Sequence, residues 1–361
     1  MYTLDEQACI WLNSVTTIPT LKKYKSLELF ESPHDMYLNL ADKKAEVLEH
    51  VNESMYNDLI QAKETLPSLL DRLDELNIVA VTIYSDTYPG LLMEITPPPL
   101  VIYCKGRLEL LKSNNIGVVG TRDCSRYGVE TTEKFVVDLV KAGFTIVSGM
   151  ARGIDYIAHN TALNLKADTI AVLASGLDII YPPEHKELYR KIADKGLLVS
   201  EYIPGTPPNG FQFPERNRII SGLSSGVLVT EAGEKSGALI TIDYALEQDR
   251  EVFIVPGPIT SRFCRGSNNR LKHVQGGLVT EVNDILYRLG MIADYEDEQE
   301  VTVMQLDFME QKIIIELEKG EMHFDEILQM TGLSVPELNS LLTRMEICGI
   351  VKKNSGNYYE I

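Results

Sequence analysis

The chain is poor in the residues that mark several protein classes. Its 361 residues include five cysteines and one tryptophan, and no unbroken apolar run approaches the roughly 18 residues of a membrane span. Cys9, Cys104, Cys124, Cys264 and Cys348 are scattered without a C-x-x-C pair. That spacing argues against a zinc site or a disulfide framework and fits a reducing compartment. No basic segment leads into an apolar stretch near the start, so neither secretion nor a membrane anchor is expected, and the chain reads as cytoplasmic. Net positive charge is also lacking: 34 Lys and Arg stand against 52 Asp and Glu, a formal charge of −18. The deficit is uneven. Residues 115–290 carry 19 bases against 20 acids, residues 1–114 carry 10 against 17, and residues 291–361 carry 5 against 15. The middle is therefore near neutral, and local potential in a cleft governs an anionic ligand more than the global sum.

What is present is ordinary for a soluble globular chain of two or three domains: 44% hydrophobic and 24% charged residues. Residues 1–75 pattern as helices, with apolar positions such as Ile10, Trp11, Leu27, Phe30, Met36 and Leu40 broken by turn signals at Pro19 and Ser32-Pro33. From Ile78 the texture turns to β, with Ile78–Tyr84 and Leu100–Cys104 joined through Pro97-Pro98-Pro99. Short apolar runs then alternate with helical stretches: Gly117–Val119, Thr145–Val147, Thr169–Leu173, Leu197–Val199, Gly226–Val229 and Val252–Val255. Unbroken runs of this length suit parallel strands buried on both faces, which predicts an α/β, doubly wound, Rossmann-like sheet over residues 76–290. Residues 291–306, with acids from Asp294 to Glu300, read as a solvated linker. Residues 307–361 pattern as three helices and a β-hairpin, a winged-helix outline.

Six loops fall at strand C-terminal ends, where open α/β sheets bind ligands. The first runs from Gly120 through Arg122, Ser125 and Arg126 into a helix expected to open near Val129. The second holds Ser148, Gly149 and Arg152. Glycines at such turns let backbone N–H groups approach phosphate, and the helix N-terminus favours its charge. The third, Phe211–Ser221, carries Phe213, Pro214, Arg216, Asn217 and Arg218, offering an aromatic face and cations suited to nucleic-acid bases and phosphates. Glu231–Ala238 supplies Lys235 and Ser236; Val255-Pro256-Gly257 and Arg265–Asn268 complete the set. Several arginine-bearing turns in series point to a polyanion rather than a single nucleotide.

The motifs Gly120-x-Arg122-x-x-Ser125-x-Tyr127-Gly128, Ser148-Gly149-x-Ala151-x-Gly153-Ile154-Asp155, Phe213-Pro214-x-Arg216-Asn217-Arg218-Ile219-Ile220-Ser221, Ser236–Thr241 and Pro256-Gly257 follow one another in the chain. In that order they resemble the DprA family, also called Smf, of bacterial DNA-processing proteins. The resemblance is dense over about residues 75–290 and covers the flanks in outline. It departs at Gly266–Leu271 and Gly276-Gly277, where the family has a more apolar segment ending in Gly-Ala. It implies an extended Rossmann-like domain that binds single-stranded DNA without sequence preference, protects incoming strands in natural transformation and loads a RecA-type recombinase. It further implies a homodimer through that domain, single-strand-binding protein as a further partner, no cofactor, no metal and no enzymatic turnover. On this reading Arg122 is the principal phosphate contact, lined by Gly120, Ser125, Arg126, Ser148, Gly149 and Arg152. Phe213 stacks on a base, with Arg216, Asn217 and Arg218 beside it and Lys235 and Ser236 at the next phosphate. The N-terminal helices resemble the family's sterile-alpha-motif or helix-hairpin-helix-like region.

Each assignment has a structural competitor. Arg122 could pair with Asp155 or Glu231, and Phe213 could be core. Arg216 and Arg218 lie two apart at a helix start, so one of them is expected to be structural. Asp155 reads as a turn or cap residue, and His159 and His185 as helix residues. A winged helix whose third helix holds only Arg344 against Glu337 and Glu346 would repel duplex phosphate and reads as a protein-contact module. The competing function is a lysine-decarboxylase-like phosphoribohydrolase, for which Glu231 or Glu234 would supply the acid; the Gly-Gly phosphate turn of those enzymes is missing. A dinucleotide-dependent oxidoreductase is excluded because no Gly-x-Gly-x-x-Gly follows the first strand.

Overall fold

Capping fixes where the first helices begin. Thr3 and Glu6 form a reciprocal capping box at α1 (Leu4–Ser14), and the Asn52 side chain accepts from the Met55 N–H at the start of α5 (Glu53–Glu75). Between them lie α2 (Thr20–Leu27), α3 (Pro33–Asn39) and α4 (Lys44–Val47). These features come from a computed structural model that describes residues 2–292, 308–347, 350–354 and 356–360.

The sheet region follows as β1 (Val79–Thr82), α6 (Gly90–Met93), β2 (Val101–Gly106), β3 (Asn115–Val119), α7 (Arg126–Lys141), β4 (Thr145–Ser148), α8 (Ile154–Asn164), β5 (Thr169–Leu173), α9 (Lys186–Lys195) and β6 (Leu197–Ser200). It continues through α10 (Gln212–Gly222), β7 (Gly226–Val229), α11 (Ala238–Glu247), β8 (Glu251–Ile254), α12 (Arg265–Lys272), β9 (Gly277–Leu278) and α13 (Val282–Arg288). The nine strands form one sheet in the order β1-β2-β6-β5-β4-β3-β7-β8-β9. From β6 to β9 all neighbours are parallel, while β1 and β2 add an antiparallel edge. The doubly wound expectation holds, and β9 is a strand the sequence reading did not include.

Alternation along the strands sorts side chains to two faces. Ile116, Val118, Ile146, Leu228 and Phe253 pack with Phe135, Leu139 and Ala158 of α7 and α8. Val119, Val147, Val227 and Ile254 pack on the other face with Ile219 and Ile220 of α10 and Ile242 of α11. The N-terminal helices do not stand apart from the sheet. Trp11, Leu59 and Leu73 share one core with Val101, Tyr103, Ala171 and Leu198. Residues 1–294 accordingly form one compact unit.

The second unit, residues 295–361, has α14 (Phe308–Leu317), β10 (Met322–His323), α15 (Phe324–Thr331), α16 (Val335–Ile347), β11 (Lys352–Lys353) and β12 (Tyr358–Glu360). Its three strands pair antiparallel in the order β10-β12-β11 around a core of Ile313, Leu317, Ile327, Leu338 and Leu342. This is the expected winged helix, with one more short strand than the hairpin. The acidic stretch Asp294–Glu300 lies outside the described residues.

Candidate nucleic-acid interface

The direction of winding reverses at β3. The chain proceeds from β3 to β4, β5 and β6 on one side, and continues through β7, β8 and β9 on the other. A crevice opens at such a switch point because the loops leaving adjacent strands turn toward opposite faces. Here the loop after β3 and the loop after β7 border a cleft of about 640 Å³. Gly120–Asp123 form one wall, Gly233–Thr241 the other, and Phe213, Pro214, Arg216 and Asn217 of α10 close the end.

Both loops are held by one carboxylate. Glu231, fully buried, accepts from the Ser125 N–H at 2.8 Å and from the Ser125 hydroxyl at 2.6 Å. The Ser125 Oγ in turn accepts from the Gly128 N–H, capping α7, which therefore starts at Arg126 rather than near Val129. Gly128 is required there, since a Cβ would lie 2.4 Å from Glu231 Oε2. On the next loop Asp155 is buried and accepts from the Gly149 and Ala151 N–H groups at 3.2 and 3.3 Å. Burial pushes its carboxyl up, and the nearby Arg216 guanidinium opposes that shift. Met150, between those N–H groups, is held in the left-handed region at φ 53° and its carbonyl meets His185 Nδ1 at 3.0 Å.

Arg122 stands exposed at the cleft mouth, and neither Asp155 nor Glu231 pairs with it. Its guanidinium lies over the Phe213 ring, 5.4 Å from the centroid. On Phe213 also packs Tyr181, with centroids 5.4 Å apart. The aromatic is thus a partly exposed platform shared with a cation. Lys235 is exposed on the opposite wall and makes no ion pair among the described residues. Ser236 accepts from the Ala238 N–H at the start of α11, and Asn217 donates to the Gly237 carbonyl.

Other expected contacts are placed differently. Arg216 is 4% exposed and donates to the carbonyls of Gly149, at 2.7 Å, and Val172. It forms a fixed positive floor, not a free phosphate ligand. Arg218 leaves this cleft altogether: it pairs with Glu201 and donates to the Pro97 carbonyl. Both arginines are internally satisfied, where the sequence reading expected one. Ser148 is also corrected, being fully buried with its hydroxyl on the Val118 carbonyl at 2.7 Å. The Ser125 hydroxyl is committed to Glu231. Arg126 and Arg152 pair with Glu130 and Glu184 at the surface; such exposed pairs are weak and screened by solvent, so a phosphate competes for either cation. His159 is a buried helix residue bonded to Thr169 Oγ1 at 2.7 Å. No group of three or more potential metal ligands occurs among the described residues, and none of their helices is long and apolar enough to cross a membrane.

Tyr181 and Phe211, the latter at the head of the third loop, are not among the contacts expected from the sequence. Phe211 is 64% exposed, just before α10. A Phe-x-Phe pair with one member exposed leaves no periodic signal to separate the two roles.

Comparison with known proteins is consistent along the chain. Residues 79–290 match the family model of DNA recombination-mediator protein A, and residues 299–357 match the DprA winged helix domain. Protein Smf of Synechocystis is 38% identical over 309 residues, covering 76% of this chain and 77% of that protein. The solved DprA structure from Streptococcus pneumoniae superposes with a TM-score of 0.69 at 35% identity, covering 78% of this chain and 97% of that one. A second solved structure, from Helicobacter pylori, is described by its single-stranded DNA binding mode. It gives a TM-score of 0.54 at 28% identity over 59% of this chain and 96% of its own. The chain belongs to the DprA/Smf family of DNA recombination-mediator proteins.

Proposed function

We propose that the switch-point cleft binds single-stranded DNA without sequence preference, and that the protein uses this to protect a strand and pass it to a RecA-type recombinase. The observation that carries the reading is Arg122: an exposed guanidinium, without an ion pair among the described residues, seated over the Phe213 ring beside the Gly149–Ala151 loop. A cation and a π-face side by side suit a phosphate and its neighbouring base. The exposed Lys235 extends the positive track across the cleft. Stacking and charge serve every base alike, which supports the lack of sequence preference. Homodimerisation through residues 76–290 and handover to the recombinase rest on family membership.

The phosphoribohydrolase reading, with Glu231 or Glu234 as its acid, has less support: Glu234 is exposed in the loop after β7 and does not line the cleft. Glu231 is fully buried on Ser125 and does not line the cleft. The test is fluorescence anisotropy with labelled oligo-dT, a duplex of equal length and AMP. Tight oligo-dT binding, weak duplex binding and a loss of about tenfold or more in Arg122→Ala are expected. AMP binding or cleavage without oligo-dT binding would overturn the proposal.

A further inference from the structure

Beside the switch-point cleft lies a second one, of about 740 Å³, between the start of α2 and the ends of β6 and α10. The two share a ridge, Asn209–Phe213. Gly210 and Phe213 border the first cleft, while Asn209, Phe211 and Gln212 border the second. A chain that crosses Phe213 and continues over Gly210 therefore enters the second cleft directly.

The lining differs in kind from the first. Lys23 and Arg218 are matched by Glu201 and Glu215, so the four charges cancel. Arg218 and Glu201 are paired to each other, with side chains 13% and 12% exposed. Glu215 accepts from the Tyr202 hydroxyl at 3.2 Å. Such a cleft offers little field to a phosphate. It offers instead the Phe211 ring, 64% exposed, which is more than any core role would leave to a phenylalanine. A polar group in the wall is also underused. Lys23 is 4% exposed, and among the described residues its ammonium, with three donors, makes one hydrogen bond, to the Asn13 carbonyl at 3.2 Å. An acceptor entering the cleft would satisfy a donor that folding has left without one. A flat ring carrying carbonyl acceptors meets both demands.

We infer that this second cleft holds a nucleobase of the bound single strand, stacked on Phe211, so that the N-terminal helices take part in strand binding. The inference rests on the single-strand reading of the first cleft. Phe213 is already shared by Arg122 and Tyr181, whereas Phe211 has no ring or cation partner among the described residues.

The test couples the aromatic to a position on the DNA. A set of oligo-dT strands, each with one abasic position moved stepwise along it, is titrated against wild type, Phe211→Ala, Phe211→Trp and Arg122→Ala. Phe211 is exposed, so its variants are expected to fold as wild type, checked by the thermal midpoint. The expected result is an abasic position, distinct from the one over Phe213, that costs wild type about tenfold. The same position costs Phe211→Ala nothing further, and Phe211→Trp restores the penalty. If every abasic penalty survives in Phe211→Ala while Arg122→Ala still loses affinity, this inference fails and the single-strand reading stands. If no protein binds oligo-dT, both fail. Saturable binding of free dTMP lost in Phe211→Ala, with no positional coupling in the strand, would overturn the strand path in favour of a mononucleotide site.

Discussion

The Arg216 guanidinium lies under Gly149 and donates to its carbonyl at 2.7 Å, tying α10 to the loop after β4. The same group reaches the Val172 carbonyl, and the buried Asp155 carboxyl lies close enough for its charge to be felt. A Cβ on Gly149 would sit 2.5 Å from the guanidinium, so the two residues fit only as a pair. Removing the cation leaves two carbonyls without their donor and takes the neighbouring positive charge from the buried Asp155 carboxyl.

Arg216→Ala is therefore expected to lose about 3 kcal/mol or more of stability, read as a shift of the urea midpoint. Arg122→Ala, at an exposed position, is expected to stay within about 0.5 kcal/mol of wild type while losing strand affinity. Equal destabilisation by both variants would sink the division between floor and ligand.

Glu231 offers a second separation of roles. Its carboxylate accepts two hydrogen bonds from Ser125 and holds the loop that carries Arg122. Glu231→Gln would aim an amide N–H at one of those donors. Stability should fall by about 1–3 kcal/mol, and strand affinity with it, because the loop loses its anchor. No glycosidic cleavage of AMP is expected from wild type; chromatographic detection of free adenine that Glu231→Gln abolishes would restore the enzyme reading.

His159 gives a pH dependence with a definite sign. Burial holds its pKa at about 3, against 6.5 for the free side chain. Unfolding therefore takes up a proton below pH 6.5, and stability falls as pH drops from about 6.5 toward 3. The slope from this one group is about 1.4 kcal/mol per pH unit. Urea unfolding at pH 7, 6 and 5 should show a steeper decline in wild type than in His159→Gln. Parallel declines would mean that the imidazole is not held neutral by the fold.

The sheet was legible in the sequence because strands buried on both faces need unbroken apolar runs. Thr169–Leu173 and Gly226–Val229 appear with the expected ends. The start of α7 was not legible, since Gly128 argues against helix locally and is present only to make room for Glu231. The motif glycines and Arg122 could be placed at strand ends from sequence alone. Which arginine faces the cleft could not. Whether Arg216 is buried depends on carbonyls of Gly149 and Val172, supplied by loops far away in the chain. The same holds for Arg218, whose partner Glu201 follows β6.

Salt dependence distinguishes free cations from committed ones. Each phosphate neutralised on a single strand contributes roughly −0.7 to the slope of log affinity against log salt. Arg122 and Lys235 stand exposed on opposite walls of the cleft, so each should account for one such contact. Arg122→Ala and Lys235→Ala are expected to flatten the slope by about 0.7 apiece, and the double variant by about 1.4. Arg218→Ala removes the same formal charge from an internal pair with Glu201. It should leave the slope as it is and lower the unfolding midpoint, because Glu201 is left without its partner in a site 12% exposed. A slope change for Arg218→Ala equal to that of Arg122→Ala would show that net charge, not position in the cleft, governs binding.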